Sequence, residues 1–92
     1  MEKKMYALTY CYEGTDNFTP YGITIAVSTD IEKLKAKMGE CVAEDCEIDE
    51  DNEWDDDKNF IEYSRYDTEV TLQHRKNINL YARYTIRSVD VL

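Results

Sequence analysis

Glycine, proline, histidine and tryptophan are scarce in this 92-residue chain, with three, one, one and one copies. The three glycines, Gly14, Gly22 and Gly39, form no glycine-rich phosphate loop, which excludes nucleotide binding of that kind. Three cysteines, Cys11, Cys41 and Cys46, make an odd count at spacings that fit no secreted disulfide framework, so free thiols in a reducing compartment are expected. Those cysteines and His74 are the only sulfur and imidazole groups, and they lack the short paired spacing of a structural zinc site. Cys41 and Cys46 would point about 140° apart on a helix. Pairing Cys11 or Ser64 with His74 as nucleophile and base would be arbitrary, so no enzymatic activity, metal or cofactor is expected.

Long hydrophobic runs are missing as well. Nothing approaches the roughly 20 apolar residues of a membrane span, and Met1-Glu2-Lys3-Lys4 leads into alternating residues rather than a signal-peptide core. A soluble, cytoplasmic protein follows. At this length one domain, residues 1–92, is expected, with little room for an enclosed pocket beside its core.

The sharpest absence is local. Residues 44–57 contain no Lys, Arg or His, yet hold ten of the chain's twenty carboxylates: Glu44, Asp45, Glu47, Asp49, Glu50, Asp51, Glu53, Asp55, Asp56 and Asp57. The other residues, with eleven basic and ten acidic side chains, are almost neutral, although the whole chain carries -9. Such a charge disfavours direct contact with nucleic acid or an anionic membrane and favours a basic partner.

What the chain has in quantity is alternation. Met5 to Tyr12 places Tyr6, Leu8, Tyr10 and Tyr12 on one face of a strand, with Ala7, Thr9 and Cys11 on the other. Glu13 to Pro20, rich in turn formers and with Phe18 as its only large apolar residue, predicts an exposed loop. Tyr21 to Ser28, with Tyr21, Ile23, Ile25 and Val27 in alternation, predicts a central, well-buried strand forming a hairpin with the first. Thr29 and Glu32 match a capping box, and Ile31, Leu34, Met38, Cys41 and Val42 form an apolar helical stripe. Gly39 leaves two helix ends open, one there and one near Glu44.

Phe60 to Tyr66 and Glu69 to Arg75 read as strands, the second with Val70, Leu72 and His74 on one face, which makes His74 a strand-end residue with a hydrogen-bond partner. Lys76 to Asn79 is a turn, and Leu80 to Val91 is a final strand with Leu80, Ala82, Tyr84 and Ile86 together. A bulge near Arg87-Ser88 would return Val89 and Val91 to that face. The order β-β-α-β-β-β predicts a two-layer α+β fold: a largely antiparallel five-stranded sheet, one helix on one face, and an acidic connection after the helix.

The acidic segment has two limiting shapes. As a helix its fourteen residues would span about 21 Å, and as extended chain about twice that, so either gives a dense anionic line suited to a Lys/Arg-rich groove. Ile48 and Trp54 lie within it, and a solvating tail has no use for either. Trp54 is expected to fold back and pin the segment to the core; the alternative is an interface anchor ringed by charge. Asp51, Glu53, Asp55, Asp57, Asn59 and Glu62 fall at calcium-loop positions, but Asp56 occupies the place of the required glycine, so no specific calcium site is expected.

The opposite sheet face would carry Tyr81, Arg83, Thr85 and Arg87, with Arg75 at its margin. Tyrosine and arginine suit protein interfaces, so Tyr81, Arg83 and Arg87 are the alternative contact surface, which leaves open a structural or regulatory module or a homodimer in which the acidic segment is a solvated stretch serving only solubility. The preferred expectation is a small non-enzymatic binding or inhibitor protein. Its acidic segment, Trp54 included, would engage a basic protein that handles nucleic acid, as a nucleic-acid mimic. Small acidic antagonists encoded by phages and mobile elements, anti-CRISPR proteins among them, offer an analogy of size and charge alone.

Overall fold

The computed structural model describes residues 4–14, 17–55 and 57–89, with backbone alone for 13–14 and 17–22. The elements are β1 (Met5–Gly14), β2 (Asn17–Ser28), α1 (Ile31–Asp45), β3 (Phe60–Tyr66), β4 (Glu69–His74) and β5 (Tyr81–Val89). The strands form one antiparallel sheet in the order β2-β1-β5-β4-β3, and α1 packs on one face across β1, β2 and β5. This is the two-layer α+β arrangement the residue pattern predicts. No helix among the described residues is long and apolar enough to cross a membrane.

The core joins one face of each inner strand to one stripe of α1. Leu8, Leu72, Val70, Leu80, Ala82, Tyr84 and Ile86 meet Leu34, Met38 and Val42, with Phe60 closing one end. Ile31 and Cys41 complete the helical stripe at its margins. The helix runs unbroken through Gly39 to Asp45, the later of the two open ends, and a side chain at position 39 would meet only open space.

Four local expectations are corrected. The N-cap is Asp30, not Thr29: its carboxylate accepts from the Glu32 amide at 3.0 Å, and its own amide donates to Ser28 Oγ at 3.0 Å. That one-residue shift sets a charged group against the helix's positive end, and Glu32 pairs with Lys35 at 3.5 Å instead of reaching back. The predicted loop of Glu13 to Pro20 is mostly strand. Glu13-Gly14 extends β1 and Asn17 to Pro20 opens β2, while residues 15–16 lie outside the described residues.

β2 is an edge strand rather than a central one, a position where a proline lacking its amide donor is tolerated. Its alternation is also broken. Leu8 pairs with Ala26 and Thr9 with Thr24, so Ile25 is an extra residue; Ile23 then lies opposite Tyr10 on the helix face and Val27 opposite Ala7 on the outer face, both exposed. The bulge predicted in β5 is absent, because β1 and β5 pair without interruption to Met5 and Val89. Val89 consequently stays on the outer face, and Val91 lies outside the described residues.

Candidate acidic interface

The acidic segment starts in the last turn of α1, where Glu44 faces solvent and Asp45 turns inward. The Tyr84 hydroxyl donates to Asp45 Oδ2, and the Tyr84 ring packs on Tyr10 with centroids 5.0 Å apart. Burial pushes the Asp45 carboxyl above the usual carboxylate range; the Tyr84 bond opposes that shift, and the charges of Glu44 and Asp57 reinforce it. Burial likewise holds the Tyr84 and Tyr10 hydroxyls protonated, Tyr84 with added help from its bond to Asp45. Asp45 is thus part of the scaffold beneath the segment.

Past the C-cap at Cys46 the chain is neither helical nor extended, which corrects both limiting shapes. It folds through short turns closed by its own carboxylates: Asp49 Oδ1 accepts from the Asp51 amide at 3.1 Å, and Asp55 Oδ1 from the Asp57 amide at 2.9 Å. Backbone bonds add to these, with the Asp55 amide donating to Asn52 O at 3.1 Å and Lys58 to Asp55 O at 3.3 Å. Turns of this kind relieve the like-charge crowding that a continuous helix would impose.

Two buried polar residues fasten this turn-rich segment to the sheet. Asn59 is 0% exposed, with φ 66°, a left-handed backbone that asparagine tolerates better than most residues. Its amide donates to Glu47 O at 2.9 Å and its carbonyl accepts from the Arg75 amide at 2.9 Å. Its side chain accepts from the Asp49 amide at 2.8 Å and donates to Asn52 O at 3.1 Å. One residue therefore holds three points of the acidic segment.

The second is His74, 1% exposed at the end of β4. Its Nδ1 accepts from the amides of Lys76 and Asn77, both at 3.1 Å, so the ring proton resides on Nε2, which donates to Asp55 O at 2.9 Å. Phe60 packs edge-on against the ring at 5.2 Å. His74 thereby ties the β4–β5 turn to the acidic segment and has the hydrogen-bond partners expected of it.

The outer side of the segment presents Glu44, Glu47, Glu50, Asp51 and Asp57 to solvent, while Glu53 pairs with Lys76 at 3.5 Å. Asp56 lies outside the described residues. Trp54 is 62% exposed and Ile48 48% exposed. The expectation that Trp54 pins the segment is corrected: Asn59 and His74 do so through backbone carbonyls and amides, which leaves the indole free. Among the described residues no three His, Cys, Asp or Glu side chains are grouped to hold a metal ion.

No family model, curated protein or solved structure matches this chain.

The alternative surface is the sheet face remote from α1. Tyr63 packs edge-on against Tyr81 at 5.8 Å, and with Cys11, Thr71 and Arg83 they line an open groove of about 230 Å³. Arg83 is balanced by Glu69 at 3.1 Å, Tyr81 accepts from Gln73 at 3.1 Å, and Arg87 is exposed farther along β5. The arginines and tyrosine share a face as predicted, but Arg83, the cation that lines the groove among the described residues, already has a carboxylate beside it. Sequence reasoning missed Asn59 as a fastener and Tyr84 as a ligand of Asp45. A polar residue on the buried parity of β4 was the visible signal for His74; nothing comparable marked Asn59.

Proposed function

We propose that this protein is a non-enzymatic binding protein whose acidic segment occupies a Lys/Arg-rich groove on a nucleic-acid-handling protein and competes there with nucleic acid. The observation that carries the reading is the division of labour inside the segment. Asp45, Asp49 and Asp55 are turned to internal bonds, Asn59 and His74 fix the backbone, and Glu44, Glu47, Glu50, Asp51 and Asp57 remain on the solvent side around Trp54 and Ile48. A fixed segment loses less conformational freedom on docking than a loose acidic tail. Exposed Trp54 supplies the large, rigid apolar contact typical of an interface centre, with carboxylates at its rim.

The test is a capture experiment with a variant that spares the internal bonds: Glu47→Gln, Glu50→Gln, Asp51→Asn and Asp57→Asn together. The unaltered protein is expected to retain basic nucleic-acid-binding proteins from a cell lysate at low salt, to release them as salt rises, and to lose them to added duplex DNA. The variant is expected to retain little. Equal retention by both, with the same salt dependence, refutes the reading.

A further inference from the structure

β3 is the other edge of the sheet, and among the described residues its outer side has no backbone partner. Unlike most exposed edges it carries a self-complementary pattern, and a bulge creates it. Glu62 pairs with Leu72 and Ser64 with Thr71, so Tyr63 is an extra residue in the strand. Tyr63 leans over β4 toward Tyr81. The residues on either side then keep a regular alternation: Glu62 and Arg65 lie opposite Leu72 and Val70 on the helix face, while Ile61, Ser64 and Tyr66 lie opposite Gln73, Thr71 and Glu69 on the outer face. Without the bulge, two residues three apart would face opposite ways.

We propose that β3 pairs antiparallel with β3 of a second copy of this chain about a twofold axis at Ser64, joining the two sheets into one of ten strands. Directly opposite residues of an antiparallel pair share a face. With Ser64 opposite its own copy, and Tyr63 of each strand left out of the pairing on this edge as it is against β4, Glu62 falls opposite the second copy's Arg65 and Arg65 opposite its Glu62. On the other face Ile61 falls opposite Tyr66, again twice. Both charge pairs and both apolar pairs match in face and in kind, as an isologous contact requires. Ile61 and Tyr66 are exposed in the single chain, and the Glu62–Arg65 contact within one strand is an exposed pair that exchanges partners at little cost.

The acidic segments do not oppose this arrangement. Asn59 ends the segment just before β3, so antiparallel pairing sets the two segments at opposite ends of the junction, about 25 Å apart at 3.3 Å per residue. That is several times the roughly 8 Å screening length of physiological salt. The inference is independent of what the acidic segment binds.

Charge exchange tests it. Sedimentation equilibrium of the full chain in physiological salt, from micromolar to millimolar, is expected to show the mass rise from 10.9 kDa toward twice that value. Glu62→Arg and Arg65→Glu alone each set like charges opposite one another and are expected to stay monomeric, with unchanged circular dichroism as the check on folding. An equimolar mixture of the two restores both pairs and is expected to dimerise. An unaltered chain that is monomeric at millimolar concentration overturns the proposal, as do single variants that associate like the unaltered chain. A mixture that stays monomeric overturns the register about Ser64.

Discussion

His74 Nε2 lies 2.9 Å from the carbonyl oxygen of Asp55, a contact across nineteen residues that joins the end of a core strand to the most acidic stretch of the chain. The bond reaches backbone rather than carboxylate. It therefore fixes the position of the acidic segment without neutralising it, and Asn59 acts in the same way at Glu47, Asp49 and Asn52. A charged surface is thus held by neutral, buried chemistry.

The two nitrogens of His74 can be tested separately. His74→Asn keeps an acceptor near the Nδ1 position for the Lys76 and Asn77 amides but cannot reach Asp55, and His74→Gln does the reverse. Amide hydrogen exchange is expected to speed up at residues 47–58 in the Asn variant, and at Lys76 and Asn77 in the Gln variant. His74→Ala loses all three bonds and leaves a void, which should cost about 2–5 kcal/mol in urea unfolding.

At Asn59 the backbone and the side chain make distinct contributions. Asn59→Gly retains the left-handed conformation while removing the bonds to the Asp49 amide and Asn52 carbonyl, for an expected loss of about 1–3 kcal/mol. Asn59→Ala removes the same bonds and adds roughly 1 kcal/mol of backbone strain. Urea unfolding should rank the unaltered chain above both variants; glycine's extra freedom in the unfolded chain, about 0.4–1 kcal/mol, offsets part of the strain in Ala, so an Ala variant more stable than Gly by that full amount would show that φ at this position carries no cost.

Alternation and helical spacing made the five strands, the helix and their layers legible, because burial on one face imposes a period that residues display directly. Leu34, Met38 and Val42 on α1 and Val70, Leu72 and His74 on β4 are buried as their spacing predicts. Bulges escape this reading. Ile25 and Tyr63 each reverse the facing of everything beyond them, and only pairing with a neighbouring strand reveals it. The edge position of β2 was hidden for a related reason: its apolar alternation resembles that of a buried strand, and strand order depends on partners distant in sequence. In the acidic segment the charge was evident, but its shape depends on Asn59 and His74, whose bonds run to main-chain atoms that any residue supplies.

Trp54 provides a direct check on what holds the segment. With Trp54 62% exposed, Trp54→Ala should change unfolding stability by no more than about 0.5 kcal/mol, against 3–5 kcal/mol for a buried tryptophan. Its fluorescence should be readily quenched by iodide or acrylamide in the native protein. The same substitution should weaken partner retention by a factor of ten or more if the indole is the centre of the contact.

Asp45 predicts a pH dependence whose sign follows from its surroundings. Burial raises its carboxyl above the unfolded value, so between those two values the folded chain binds more protons than the unfolded chain. This contribution is fully present below the unfolded pKa, near 3.9, and is lost as pH rises through the folded one. Asp45→Asn keeps an acceptor for the Tyr84 hydroxyl and removes both the desolvated charge and its repulsion with Glu44 and Asp57. The variant should accordingly be the more stable of the two at pH 7, with its advantage shrinking steadily on acidification through the weakly acid range. Tyr84→Phe supplies the complementary measurement. It deletes the bond that lowers the Asp45 pKa, so the Asp45 carboxyl followed by NMR should titrate at a higher pH than in the unaltered chain. A stability difference that stays flat with pH would show that burial does not govern this carboxyl, and an Asp45 titration that moves down in Tyr84→Phe would show that the Tyr84 bond does not lower it.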